Sequence, residues 1–307
     1  MSDIVILGIF VADTAYRADR QPKMGETILG TSFALGPGGK GSNQSVAAAM
    51  AGGDVTIISR LGKDAFADIA RATWAKAGVK SAITEDGESY TGAAYIFLEN
   101  ATGNNAIIVA AGAAGRISVQ DVEASRSLIE GAKVFITQLE QPIPAARRAL
   151  EIARAAGVRT ILNPAPAAEL DDAFLALCDI VTPNESETES LTGLPVTTIP
   201  EAEAAARALL ARGVGACLIT LGERGALYVD RDRSFHVPVI SAGKVLDTTG
   251  AGDAFNGGFA VALTEGRTIE DAVRFGCATA GISVTRSGTA PAMPARAEID
   301  ALLAAQG

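Results

Sequence analysis

The chain carries one histidine, His236, among 307 residues. It lies in Phe235-His236-Val237, far from every glycine-rich stretch, and reads as a surface strand residue. With no second imidazole, a histidine metal cluster and a Ser/His triad are both excluded. Cysteine is scarce too. Cys178, Cys217 and Cys277 are far apart with no CxxC spacing, which argues against a zinc site and a disulfide framework. Each sits in an apolar stretch and reads as a small buried thiol. Positive charge is in deficit: 26 Lys and Arg face 35 Asp and Glu, a formal charge of −9. Non-specific nucleic-acid binding is excluded on that ground, and an anionic ligand needs local devices to hold it. No apolar run approaches the length of a membrane span, and Met1-Ser2-Asp3-Ile4 carries no basic n-region. The expectation is a soluble, cytoplasmic protein without a membrane partner.

What is present is an alternation of strands and helices. The chain is 48% hydrophobic and rich in Ala and Gly, as helices packed closely on a sheet require. Its length suits one large α/β domain, or one domain with a small appendage. Ile4–Ile9 is a continuous apolar run, the pattern of a buried parallel strand, with Asp13 expected in the loop after it. Residues 15–35 carry no helical period but hold β-prone pieces at 27–29 and 31–33. Tyr90–Leu98 and Ala106–Val109 read as a hairpin. Paired with the first excursion, they predict a small β-sheet lid formed by about 14–35 and 89–110. From residue 132 the βαβ alternation is regular, with a helix expected from Pro183 and a strand at Lys244–Leu246. The whole chain, 1–307, reads as a single α/β domain: a central, mostly parallel sheet with helices on both faces, plus the lid.

The chain is organised around Asp247-Thr248-Thr249-Gly250-Ala251-Gly252-Asp253 and the helix it opens. Glycines allow close backbone approach, and free N–H groups at a helix start suit a phosphate or a developing negative charge. Asp253 lies in that first turn, where the helix dipole is expected to favour its ionised form. It reads either as a general base that takes a proton from an attacking hydroxyl or as an ordinary N-terminal helix acid. Gly36–Asn43 contains G-x-G-x-x-G, but no core strand precedes it, and Asp54 comes before the second strand rather than after it. That rules out the dinucleotide fingerprint. Lys40 is followed by Gly41, which rules out a Walker A loop.

Polar residues recur where strands end: Asp13, Glu140, Asn184, Thr220 with Gly222, and Asp247. In open α/β sheets that edge holds the ligand. Asn184 and Glu187 are three apart at a new helix and could hold a hydrated Mg²⁺ with phosphate oxygens, or be no more than a helix N-terminus.

Together, Gly38-Gly39-Lys40-Gly41-Ser42-Asn43-Gln44 and Asp247–Asp253 resemble the two signatures of the ribokinase-like, phosphofructokinase-B type carbohydrate kinases. Asn163-Pro164-Ala165-Pro166, Thr182-Pro183-Asn184-Glu185-x-Glu187 and Ile219-Thr220-Leu221-Gly222-x-x-Gly225 follow the same family in order. The resemblance implies transfer of the ATP γ-phosphate to the terminal hydroxymethyl group of a pentose, D-ribose giving ribose 5-phosphate. Asp253 would be the base, and Gly250, Ala251 and Gly252 the anion hole. Asp13, Gly39, Lys40, Asn43 and Glu140 would hold the sugar. Asn184, Thr220, Gly222, Gly225, Gly252 and Cys277 would line the ATP site, with Glu187 organising Mg²⁺. Asp247, Thr249, Ser283, Arg286 and Gly288 would bind a monovalent cation, K⁺, mostly through backbone carbonyls. A homodimer formed through the lids is implied as well.

Two positions depart from the family pattern. Val11 stands where an amide that reads a sugar hydroxyl is expected, so deoxyribose, another pentose or a related polyol are alternative substrates; a nucleoside is a further alternative that needs a larger apolar pocket under the lid. Ala292 replaces a side-chain oxygen of the cation site. A catalytically silent sugar- or nucleotide-binding regulator is the reading from another class, and retention of Asp253, the glycines and Asn184 with Glu187 argues against it.

Overall fold

A computed structural model describes residues 2–306; of the expected span 1–307, Met1 and Gly307 lie outside the described residues. Strand β1 (Ile4–Leu7) is buried along its length and sends alternate side chains into two cores. Ile4 and Ile6 enter one, Val5 and Leu7 the other. A strand covered on both faces has no solvent side, which is why it is apolar throughout.

The chain then leaves the main layer as β2 (Val11–Ala18) and β3 (Ser32–Gly38) before α1 (Lys40–Met50) brings it back. It continues through β4 (Val55–Leu61), α2 (Ala65–Ala77) and β5 (Lys80–Glu85). A second excursion, β6 (Thr91–Glu99) and β7 (Asn105–Gly112), is followed by the short helices α3 (Val119–Ala124) and α4 (Arg126–Glu130). The regular half runs β8 (Val134–Thr137), α5 (Ile143–Ala155), β9 (Arg159–Leu162), α6 (Asp172–Leu175), β10 (Ile180–Val181), α7 (Glu185–Thr192), α8 (Ile199–Ala211) and β11 (Ala216–Thr220). It closes with β12 (Ala226–Val229), β13 (Ser234–Val237), α9 (Ala251–Thr264), α10 (Ile269–Ser283) and α11 (Arg296–Ala305).

The main sheet has nine strands in the order β13-β12-β11-β10-β9-β8-β1-β4-β5. Pairing is parallel from β5 across to β11, and only β12 and β13 add antiparallel. The small sheet has the order β3-β2-β6-β7, with β2 and β6 parallel. The mostly parallel α/β architecture and the separate small sheet are as expected. Among the described residues no helix is long and apolar enough to cross a membrane.

One glycine contact sets the position of α1. A Cβ on Gly8 or on Gly41 would lie 2.6 Å from the other's Cα. The helix start therefore rests directly on the carboxyl end of β1, and it carries Lys40 and Asn43 to the edge where ligands bind.

Several expectations fail in detail. Asp13 is inside β2, not in a loop, because only three residues separate β2 from the end of β1. Residues 27–29 form no strand. Lys244–Leu246 is not a strand either: the N–H groups of Leu246 and Asp247 both donate to the Val284 carbonyl, and Val245 and Leu246 are exposed. Pro183 precedes the helix it was expected to open, because Asn184 caps α7. The strand β5 and the helices α3 and α4 had no expectation.

Candidate active site

The two glycine signatures, about 210 residues apart in the chain, meet at the carboxyl edge of the sheet. Asn43 Nδ2 donates to one oxygen of Asp253 at 3.0 Å, and Gln44 Nε2 donates to the other at 3.1 Å. Gly250 caps α9 at φ +78°, a left-handed conformation that puts Ala251, Gly252 and Asp253 in the first turn. Gly39 plays the matching part for α1: φ is +88°, and a Cβ there would sit 2.6 Å from the Ile9 carbonyl.

Asp253 is 6% exposed. Burial pushes its carboxyl above the ordinary range, against the opposing pull of Lys40, Asn43 and Gln44. The dipole expectation is thus overturned: desolvation outweighs the helix start. Three more carboxylates share the site. Asp13 leans over Gly38, and burial together with the Asp253 charge raises it to about 6. Glu140 accepts from the Lys40 backbone N–H at 2.8 Å; burial raises it to about 7, with Lys40 pulling the other way. Burial raises Glu187 as well, opposed by the Asn184 N–H and by Lys40. The Lys40 ammonium is half-buried, yet Asp253, Glu140 and Glu187 hold it above its usual range. One cation thus serves several buried carboxylates.

A cleft of about 210 Å³ opens from this floor. Gly250, Ala251 and Gly252 form one side, and Asn184, Glu187 and Thr220 are also in its lining with Lys40 and Asp253. Asn184 and Glu187 form a reciprocal capping box: Asn184 Oδ1 accepts from Glu187 N at 2.8 Å, and Glu187 Oε2 accepts from Asn184 N at 2.9 Å. The pair is thus a helix N-terminus, and its half-buried Glu187 carboxylate lines the cleft rather than standing in solvent. Asn184 bridges to Thr220, whose N–H donates to the Pro183 carbonyl. Gly222 and Gly225 lie in the turn after β11, and a Cβ on Gly225 would meet the Val237 carbonyl at 2.1 Å. Cys277 is buried on α10. These three are outside the cleft lining.

Among the described residues no three His, Cys, Asp or Glu side chains cluster to hold a metal ion. The donor set still fits a cation that keeps its waters: Mg²⁺ needs one or two carboxylates and phosphate oxygens, and Glu187 is one such carboxylate. The loop assigned to a monovalent cation is tied together by Asp247, which accepts from Thr249 N and Gly288 N, both at 2.9 Å. Ser283 joins it through its carbonyl, which accepts from Arg286 N. Ala292 is buried in a short 3₁₀ turn after Gly288.

Sequence reasoning gave no role to Asn163, Thr182, Thr248 or Asn256, all of which line the cleft. Thr182 Oγ1 donates to Asn256 Oδ1 at 2.7 Å, and Asn256 Nδ2 donates to the Gly252 carbonyl at 2.8 Å, bracing the glycine turn. The available signal was an amide beside Phe255, inside an apolar helix.

A carboxylate set against a glycine-rich helix start, at the edge of a doubly covered parallel sheet, defines a phosphotransferase acting on an alcohol group. The chain belongs to the pfkB family of carbohydrate kinases: that family's model matches residues 1–296. It is 38% identical over 296 residues to a ribokinase from Haemophilus influenzae, covering 96% of each chain. It is 36% identical over 294 residues to a deoxyribokinase from Salmonella typhimurium, covering 95% of each. The structure of an Arabidopsis thaliana ribokinase complexed with ribose and ATP superimposes with a TM-score of 0.90, at 31% identity and 98% coverage of both chains.

Proposed function

We propose that the protein phosphorylates the terminal hydroxymethyl group of D-ribose with ATP, giving ribose 5-phosphate and ADP. One observation carries the reading: Asp253 is buried at the start of α9, beside the Gly250–Gly252 turn and in contact with the amide of the other signature. In this reading Asp253 takes the hydroxyl proton as the oxygen attacks the γ-phosphorus. The bond from that phosphorus to the bridging oxygen breaks, and ADP leaves. The N–H groups of the Gly250–Gly252 turn receive the charge that develops on the transferred group. Asp13, Gly39, Lys40, Asn43 and Glu140 hold the sugar hydroxyls. Asn43 Oδ1 supports this, as a buried acceptor with no partner of its own. Asn184, Thr220, Gly222, Gly225 and Cys277 take the nucleotide. Glu187 holds Mg²⁺, which neutralises phosphate charge when bound, and the Asp247 loop holds K⁺.

The small sheet acts as a lid over the sugar, and its edges pair in a homodimer. Tyr16, Phe33 and Leu35 are exposed on it, as are Ile107, Ile108 and Val109 along the edge strand β7, and unpaired edges of this kind favour strand addition. Light scattering at micromolar concentration tests the dimer, and a monomer overturns it. The buried, unpaired cysteines suit a reducing cytoplasm.

Phosphorus NMR of the product tests the reaction. A phosphomonoester coupled to two methylene protons is expected. A one-proton coupling, or no monoester from any sugar, overturns the reading. A second substrate, 2-deoxyribose, is favoured by Val11, which is buried in an apolar cluster with Ala94 at the start of β2. A higher kcat/KM for 2-deoxyribose than for ribose decides for it.

A further inference from the structure

Two buried amides hold Asp253, and that of Gln44 belongs to a relay whose direction is set at its far end. The Thr182 carbonyl can only accept, so Asn163 donates its Nδ2 there at 3.0 Å and turns Oδ1 toward Gln44. Gln44 Nε2 then donates to Asn163 Oδ1 and to Asp253 Oδ1, both at 3.1 Å. Its remaining oxygen accepts from Gln138 Nε2 at 2.5 Å. Rotating the Gln44 amide by half a turn would set its oxygen against two acceptors and its N–H₂ against a donor, so one orientation survives. Gln44 and Gln138 are fully buried, which removes water as a substitute partner. Thr182 is also the residue that holds Asn256, and through it the Gly252 carbonyl. The relay and the glycine turn thus share one anchor.

We propose that Gln44 is a positioning residue of the sugar-kinase reaction: its amide, oriented by Asn163 and Gln138, fixes the Asp253 carboxylate so that the oxygen beside Asn43 faces the hydroxyl to be phosphorylated. This rests on the reading of Asp253 as the base. Gln44 touches no substrate in this account. It acts only through Asp253, whose other charged neighbours are Lys40 on α1, Asp13 on β2, Glu140 after β8 and Glu187 on α7.

The test is Gln44→Met in the full chain, which keeps the volume and removes the donor. Turnover is expected to fall about tenfold with the sugar KM within about twofold, because a bond to a charged group is lost. The acid-side midpoint of the kcat/KM profile is expected to rise by about one pH unit, since the charged form has lost a donor. The same rise is expected in the Asp253 carboxyl titration followed by carbon NMR and assigned with Asp253→Asn. That titration needs no substrate, so it separates this proposal from the choice of reaction. A raised titration in a protein that phosphorylates no sugar supports the positioning and removes the proposed function. Gln138→Leu, which takes away only the orienting donor, is expected to give a smaller rise and stands in if Gln44→Met does not fold. Unmoved midpoints in the variant that folds, with any rate loss matching the folded fraction, overturn the proposal.

Discussion

Asn43 donates to Asp253 across 3.0 Å, and its own oxygen, buried and unpartnered, is left for a ligand. In the proposed reaction the amide has one face on the base and one on the sugar. Asn43→Ala is expected to raise the ribose KM by at least about tenfold and to lower kcat as well, since it removes a polar partner from each. Steady-state kinetics at saturating ATP measure this, and an unchanged KM places Asn43 outside the sugar site.

Gly41 is in the first turn of a helix, where alanine would add about 1 kcal/mol of helix propensity. The backbone of Gly8 opposes it: the new Cβ would stand 2.6 Å from that Cα, a contact that moves backbone rather than a side chain. The clash wins. Gly41→Ala is expected to destabilise by about 2 kcal/mol or more in urea unfolding, and a neutral or stabilised variant contradicts the packing described.

Glu140, raised to about 7 by burial, makes the ligand-free protein less stable at alkaline pH. A carboxyl raised above its unfolded value costs stability above its folded pKa, and the cost disappears as pH falls to the unfolded value. Glu140→Gln removes that cost while keeping an acceptor for the Lys40 N–H. The variant is expected to gain roughly 1–2 kcal/mol at pH 8, allowing for partial exposure, and to match the parent near pH 4.5. It is expected to bind sugar less well. A stability difference that is the same at both pH values contradicts the assignment.

Much of the fold was legible because parallel strands buried on both faces must be apolar, and β1, β8 and β11 are. The ends of those strands then stand out by their polarity, which located Glu140, Asn184 and Thr220. Lys244–Leu246 misled for the same reason: it is apolar and β-prone, but it has no ladder partner, and partners are a tertiary fact. The strand β5, polar and exposed at a sheet edge, carried too weak a pattern to show. The relay of Gln44, Asn163 and Gln138 was hidden because its members, on α1 and just after β9 and β8, are far apart in sequence and meet only in the folded chain. The raised carboxyl of Asp253 was misjudged because depth of burial, unlike position in a helix, cannot be counted along a sequence.

In the proposed reaction Asp253 takes the proton from the sugar. Single-turnover transfer from ATP to ribose, compared between the parent protein and Asp253→Asn, tests it most directly, with ribose binding measured by calorimetry alongside. A transfer rate lower by roughly 10²–10⁴-fold is expected, with ribose affinity within several-fold of the parent. Near-normal transfer by Asp253→Asn would contradict it.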